Sequence, residues 1–437
     1  MRKCHQSRPY RQDLKRTENI RMSVTKKAKK LIFDIVKKNK AFRIVFRGSR
    51  DAAYRIKMTL DDPFGKIDDR LVYFQTFSGR GYSDSPKAMY EYMMQAPEYK
   101  DFRFVWSFKE PERFQFLKND RTDIVKFRTR ADNIALRTAK YWITNYRMLN
   151  HQYPRKGQIY VQCWHGTPLK RLGYDLESSD NVMNSGSEIR EKYRSDAKKF
   201  SYIISPSPFT TEKFASAWNL TETRQTHKII EEGYPRNDRL INTTPEERTE
   251  LRKKLGVDDK KVILYAPTWR DNQHTSGQGY TYKTEVDFDK LREELGDDYV
   301  ILFRAHYLVA NSFDFDRYRG FVEDVSSYSD INELYIVADI LITDYSSVFF
   351  DYANLRKPVI FYMYDLEEYA NDIRGFYISL DELPGPVVRD EESLIKEVRA
   401  CDEWKPDEKY EQICKKYNPK DDGHASERTL ARIIQKR

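Results

Sequence analysis

The sequence predicts two parallel α/β domains in tandem behind a basic helical N-terminal extension. Two series of short apolar, β-branched-rich runs alternate with helical stretches, the pattern of parallel sheets. Between the series, Gly233-Tyr234-Pro235-Arg236-Asn237-Asp238 reads as a boundary. The 437 residues leave room for two to three domains at ~150 residues each. The expected division is an extension over 1–60, an N-terminal domain over 61–235 and a C-terminal domain over 236–437.

Residues 1–60 hold 19 Lys/Arg against 4 Asp/Glu, whereas the rest of the chain carries 58 basic against 64 acidic side chains. The positive charge therefore belongs to the extension. From Ser23 to about Lys40 the pattern is helical. Leu31, Ile32, Ile35 and Val36 share a face, with Lys26, Lys27, Lys30, Lys37 and Lys38 around it. Such a helix suits an anionic membrane surface or packs on the protein body. Charge on a folded recognition surface, which a nucleic-acid-binding protein would need, is not what this distribution offers.

In the first series, LVYFQTF (71–77), FRFVWSF (102–108), YWITN (141–145), IYVQCWHG (159–166) and FSYIIS (200–205) read as strands. In the second, KVILYAP (261–267), YVILFRAH (299–306), ADILITD (338–344) and PVIFYM (358–363) do so, with a helix over 246–255. Two such domains imply a ligand cleft at the C-terminal ends of their strands. No apolar run approaches the ~18 residues that span a bilayer. The charged N-terminus does not read as a signal peptide. Cys4, Cys163, Cys401 and Cys414 form no CxxC pair and read as reduced cytosolic thiols.

Polar residues cluster just past several strands. His165-Gly166-Thr167-Pro168 ends the fourth run. A histidine there, beside a glycine that admits a ligand, is placed for general-base work, although a histidine satisfying a turn would look the same. Thr268 and Arg270 follow KVILYAP, and Arg304 and His306 alternate along the next strand end, which would aim both at one face. Cationic side chains there suit a phosphate-rich ligand, against the alternative of a surface Arg and a turn His. In ILITDYSSVFFDYANL (340–355), strand residues 340–343 run into Asp344-Tyr345-Ser346-Ser347, with a helix from Val348 to Leu355. Ser346 or Ser347 could serve a phosphate at the helix start, or simply cap it. Asp344 could hold magnesium, although one carboxylate is a thin ligand set. GxGxxG, Walker A, HExxH and GxSxG motifs are absent.

Several segments together, in this order, resemble the CDP-glycerol glycerophosphotransferase family, which builds wall teichoic acids and related capsule polymers. They are CWHGTPLKRLG (163–173), SPSPFTTEKF (205–214), GYPRND (233–238), YAPTWRD (265–271), FRAH (303–306) and DYSSVFFDYANLRKPVIFY (344–362). YWITN (141–145) and SGRGYSDSPKAMYEY (78–92) resemble the family's acceptor-side half. The resemblance implies a GT-B-like pair of Rossmann-like domains. It implies transfer of glycerol or ribitol phosphate from a CDP-polyol to an undecaprenyl-linked saccharide, with release of CMP, at the cytoplasmic face of the membrane. His165 and His306 are then the catalytic residues. Gly166, Thr167, Thr268, Arg270, Arg304, Asp344, Ser346 and Ser347 line the substrate site. No cofactor is obligatory, with magnesium as the one candidate, and no nucleic-acid partner is implied. A glycosyltransferase using a sugar nucleotide on the same fold, and a non-catalytic peripheral membrane-binding protein, are the alternatives.

Overall fold

The computed structural model describes residues 40–62, 65–177, 180–181, 184–257, 259–268, 274–275, 279–280, 286–304, 315–367 and 375–434. The expected helical face at Leu31, Ile32, Ile35 and Val36 lies outside them. The chain divides into two units, of which the smaller joins the N-terminal segment through Pro63 to Leu149–Gln152. Within that unit, helix α1 (Lys40–Asp61) stacks Tyr54 on His151 with ring centroids 5.0 Å apart, and Asn150 donates to the Asp51 carboxylate at 3.1 Å.

The larger unit, 64–148 and 153–437, contains two parallel sheets. The first comprises β1 (Asp68–Gln75), β2 (Arg103–Phe108), β3 (Thr122–Lys126), β4 (Ala139–Thr144), β5 (Ile159–Gln162), β6 (Tyr202–Ser205) and β7 (Ile229–Glu231). Its strand order is β3-β2-β1-β4-β5-β6-β7. The second comprises β8 (Lys261–Ala266), β9 (Tyr299–Phe303), β10 (Val322–Asp324), β11 (Ile340–Thr343), β12 (Val359–Tyr362) and β13 (Val387–Val388), in the order β10-β9-β8-β11-β12-β13. All these pairings are parallel. The architecture is the expected one, two Rossmann-like domains in a GT-B-like arrangement. Strand order reverses between β1 and β4 in the first sheet and between β8 and β11 in the second, and ligands of open α/β sheets bind outside the strand ends at such points.

The central strands are buried on both faces, as helices covering a parallel sheet require. Val72, Phe74, Trp106, Phe108 and Ile143 form one core, with helix α2 (Asp84–Gln95) supplying Met89 and Met93. Leu264, Leu302, Leu341 and Phe361 anchor one face of the second sheet, and Ile263, Ile301, Ile342 and Tyr362 the other. The helix expected over 246–255 is α3 (Pro245–Leu255). Thr244 caps its start by accepting from Glu247 N–H, and Gly256 at φ +67° ends it. The helix expected over Val348–Leu355 is a short α-helix, α4 (Val348–Tyr352), running into a 3₁₀ turn over Ala353–Leu355. The strand expected to reach His306 ends at Phe303, so Arg304 lies just past it rather than along it.

Segment 233–238 passes between the sheets and is pinned by buried charge. Arg236 pairs with Asp351 through its Nε (3.0 Å) and Nη2 (2.9 Å), and Asp84 lies 3.6 Å from its Nη1. Asn237 donates to Asp351 (3.0 Å) and Asp421 (2.6 Å). The final helix, α5 (Ala425–Ile433), packs Leu430 and Ile433 into the first sheet's core, so the chain returns to the lobe of the first sheet.

Candidate active site

The switch point of the first sheet holds His165. Strand β5 ends in a turn fixed from several sides. Cys163 N–H donates to Thr144 O (2.7 Å), and Trp164 N–H donates to the Gln162 side chain (2.9 Å). Trp164 adopts φ +53°, a conformation disfavoured for a bulky residue and concentrated at functional sites. The turn sets His165 Nδ1 3.1 Å from Asn145 O, at the end of β4. A carbonyl oxygen only accepts, so Nδ1 carries the proton and Nε2 of the neutral ring keeps its lone pair. Trp164 stacks on the imidazole at 4.3 Å between centroids, with Tyr146 at 6.2 Å and Phe77 at 6.3 Å. The residue remains solvent-exposed while the surrounding mass of protein desolvates the ring. Desolvation pushes its pKa below the ordinary histidine value, against the raising effects of the Asn145 hydrogen bond and the Asp84 charge. A neutral, oriented imidazole open to solvent is equipped to accept a proton.

The second sheet's switch point faces it. Thr268 N–H donates to Asp344 at 2.7 Å, joining the ends of β8 and β11, and Thr343 donates to Ala266 O at 2.8 Å. Asp344 is 2% exposed and is held in this bridge. Ser346 and Ser347 follow, half-buried. Ser347 occupies the cap position of α4, yet its side chain makes no capping hydrogen bond. Its hydroxyl instead lies against the other lobe: a Cβ placed on Gly166 would come within 3.2 Å of it. Gly166 has φ +153°, so glycine is needed there for both conformation and space. Beyond Pro168 the first lobe's chain pairs with the second lobe. Tyr377 N–H donates to Leu169 O and Arg171 N–H to Gly375 O, each at 2.9 Å.

The structure thus brings together His165, Gly166 and Ser347 across the lobes, with Ser346, Thr268 and Asp344 at the same end of the second sheet. Thr167 is turned inward, 1% exposed, beside the Tyr234 hydroxyl. Arg304 Nη1 donates to Val325 O (3.0 Å) and Tyr328 O (2.8 Å), anchoring the guanidinium, and burial lowers its pKa. Arg270 and His306 lie outside the described residues. Among the described residues no group of three or more His, Cys, Asp or Glu could hold a metal ion. Sequence reasoning missed Asn145, which sets the tautomer, and Asp84, whose charge reaches His165. Both stand in segments quoted for other reasons, and only the fold shows that they meet the histidine.

Residues 54–435 match the family described as CDP-glycerol:poly(glycerophosphate) glycerophosphotransferase. The chain belongs to that family. It is accordingly a transferase. Among relatives of the family, the chain is 38% identical over 374 residues to a teichoic acid poly(glycerol phosphate) polymerase of Staphylococcus epidermidis, covering 84% of this chain and 51% of that protein. It is 37% identical over 371 residues to a teichoic acid glycerol-phosphate transferase of Staphylococcus aureus, covering 84% of this chain and 93% of that protein. The chain therefore spans about half the length of the first relative and nearly all of the second. Its fold is similar to that of the wall teichoic acid polymerase TagF, with a TM-score of 0.79 at 36% identity, covering 89% of this chain and 97% of that one.

Proposed function

We propose that this chain transfers glycerol phosphate from CDP-glycerol to a hydroxyl of a lipid-linked acceptor in teichoic acid synthesis. The observation that carries the reading is the fixed tautomer of His165 at a strand end, next to Gly166, whose backbone approaches Ser347 of the opposite lobe. His165 Nε2 takes the proton from the acceptor hydroxyl as its oxygen attacks the phosphorus bearing glycerol. The bond from that phosphorus to the bridging oxygen breaks, and CMP leaves. The ends of β8, β9 and β11 supply the donor side. Thr268, Ser346 and Ser347 offer hydroxyl and backbone donors, and Arg270, Arg304 and His306 supply cationic or ionisable groups for the diphosphate. Gly166 gives the reacting groups room, while Thr167 and Asp344 hold the two turns in place. Glycerol is favoured over ribitol because the family description and both relatives named above specify it.

The acceptor reading places the chain at the cytoplasmic leaflet. Among the described residues no helix is long and apolar enough to cross a membrane. Helix α1 is the described element suited to bind one. Val45 (69% exposed), Ile56 (62%) and Leu60 (69%) share one face, flanked by Arg50 and Lys57 on one side and Arg55 on the other.

A donor panel with acceptor present tests the reaction. CMP release from CDP-glycerol, with a product heavier by one glycerol phosphate, supports it. Turnover of UDP-sugars with no turnover of CDP-polyols would replace it with glycosyl transfer.

A further inference from the structure

We propose that Arg80, Lys109 and Arg128 form a subsite for the phosphates of the acceptor, laid along the strand ends of the first sheet beside His165. The inference rests on the acceptor reading above and deepens it.

The three cations come from three neighbouring strand-end turns, those after β1, β2 and β3. Backbone hydrogen bonds hold the turns together: Lys109 N–H donates to Gly79 O at 2.7 Å, and Phe127 N–H donates to Phe108 O at 2.8 Å. Lys109 is thus itself one of the donors, and Arg80 and Arg128 each directly follow a hydrogen-bonded residue. Gly79, at φ +81°, brings its backbone so close that a Cβ would lie 3.1 Å from Lys109 N. Phe77, Ser78 and Arg128 adopt φ values of +45°, +58° and +64°, conformations that non-glycine residues avoid unless their surroundings impose them. Arg128 lies 5.2 Å over the Phe127 ring.

Lys109 is exposed, yet its ammonium is harder to protonate than usual, through desolvation and then the charges of Arg80 and Arg128. Glu110 acts in the opposite direction but also pairs with Arg113 at 3.1 Å. The Asp132 carboxylate accepts the Tyr73 hydroxyl and the Arg128 N–H at 2.8 Å each, and its charge partly offsets that of Arg128. Mutually repelling cations at the ligand-binding edge of a sheet are stabilised when an anion lies among them.

The cluster is tied to the catalytic histidine. Phe77 N–H donates to the Asn145 side chain at 2.8 Å, and the carbonyl of that same Asn145 holds His165 Nδ1. Strand β1 lies two places from β5, and β3 four. At ~4.8 Å per strand the cations begin about 10 Å from the histidine's strand and end about 19 Å from it. An acceptor whose terminal hydroxyl meets His165 and whose body follows the sheet edge carries its phosphates over these side chains. Those phosphates belong either to the polyol phosphate units already added or to the diphosphate of the lipid carrier.

The test compares the full chain with an Arg80→Gln/Lys109→Gln/Arg128→Gln variant, with thermal unfolding to confirm the fold. Three acceptors are used: a lipid-diphosphate saccharide, the same molecule extended by several glycerol phosphates, and a soluble oligo(glycerol phosphate) without lipid. The KM for phosphate-bearing acceptors should rise roughly tenfold or more, as expected from losing several charge-assisted contacts, and the KM for CDP-glycerol should not follow it. A rise confined to the two extended acceptors assigns the subsite to polymer phosphates, and one confined to the two lipid acceptors assigns it to the lipid diphosphate. An unchanged KM for all three overturns the proposal. Binding of a labelled hexa(glycerol phosphate) is measured separately, with polyaspartate of equal charge as competitor. If no CDP-polyol is turned over but the variant loses this binding, the reaction reading fails and the subsite stands. If polyaspartate competes as well as the unlabelled hexamer, the cluster is a general anion patch and the subsite falls.

Discussion

The two sheets present different chemistry at equivalent places. At the β1/β4 reversal of the first sheet, strand ends carry rings and a locked imidazole: Phe77, Tyr146, Trp164 and His165. At the β8/β11 reversal of the second they carry hydroxyls and a carboxylate that binds backbone, with Asp344 holding Thr268 N–H. The first edge fixes one titratable group through Asn145 and the Trp164 turn, and the second presents small hydroxyl and backbone donors. A proton-transfer group has to be aimed, whereas a phosphate-binding turn has to leave room. The comparison suggests that the lobes divide the reaction, with acceptor activation on the first and donor binding on the second.

The sharpest way to break that division is His165→Ala. With the fold retained, turnover should fall by at least ~10²-fold, the usual worth of a general base, with CDP binding little changed. Direct CDP-binding measurements beside turnover separate the effects. Near-normal turnover in the folded variant removes the histidine from the chemistry, and loss of CDP binding would give it a donor role instead.

Gly166→Ala tests where the lobes meet. The added methyl would stand 3.2 Å from Ser347 Oγ on a backbone at φ +153°. Turnover should fall roughly ten- to a hundredfold, the scale of misplacing reacting groups by about an ångström. Gly166→Ala/Ser347→Gly should recover part of it, because it relieves the contact and leaves the backbone strain. No recovery would place the whole effect in the strain, and full activity of the single variant would deny that this approach matters.

How far the sequence revealed this arrangement follows from burial. The strands legible as apolar runs are the interior ones. The four that no run disclosed, β3, β7, β10 and β13, are the outermost strands of the two sheets. An edge strand has fewer buried positions and is short, so TDIVK or VED carries little apolar signal. Within the site, His165, Gly166 and Ser347 were legible because glycine and hydroxyl residues stand out just after a strand. Asn145 was not, because it acts through its backbone carbonyl, which any residue supplies. Thr167 carries the same polar signal as its neighbours, but the turn sends it inward. Helix α1 went unnoticed beside the more strongly basic stretch before it.

Titration sharpens the comparison on the first edge. Because desolvation by the surrounding protein depresses the His165 pKa, the acid limb of the kcat/KM profile should lie below ~6.5, the ordinary histidine value. Below that limb the imidazolium cannot accept a proton. Asp84→Asn removes the nearby negative charge, and Asn tolerates the φ +63° of this position better than most residues. The limb should then move further toward acid by a fraction of a pH unit. A limb above ~6.5, or an unmoved limb in the variant, counts against this electrostatic account.

The last test concerns the return of the chain to the first lobe, at Asp421. Its carboxylate accepts from Tyr234 N–H (2.8 Å) and from the side chains of Asn237 (2.6 Å) and Asn354 (3.1 Å). Those bonds favour the ionised form, but desolvation, together with the charge of Asp351, outweighs them and pushes the pKa up to about 7. In the unfolded chain the same group titrates near ~3.9. Below pH ~4 it is protonated in both states and adds no pH dependence. Between ~4 and ~7 the unfolded chain releases the proton while the native protein keeps it. Folding stability from this group therefore falls as pH rises through that window and levels off above it. Asp421→Asn removes the titration at nearly constant shape. Urea unfolding at several pH values from 4.5 to 7.5 should show the variant gaining stability relative to the wild type as pH rises, because contributions from other groups cancel in the difference. A difference that stays flat across this range would mean that the carboxylate is ionised throughout, with its three donors prevailing over burial, and that the segment joining the lobes is held by charge rather than strained by it.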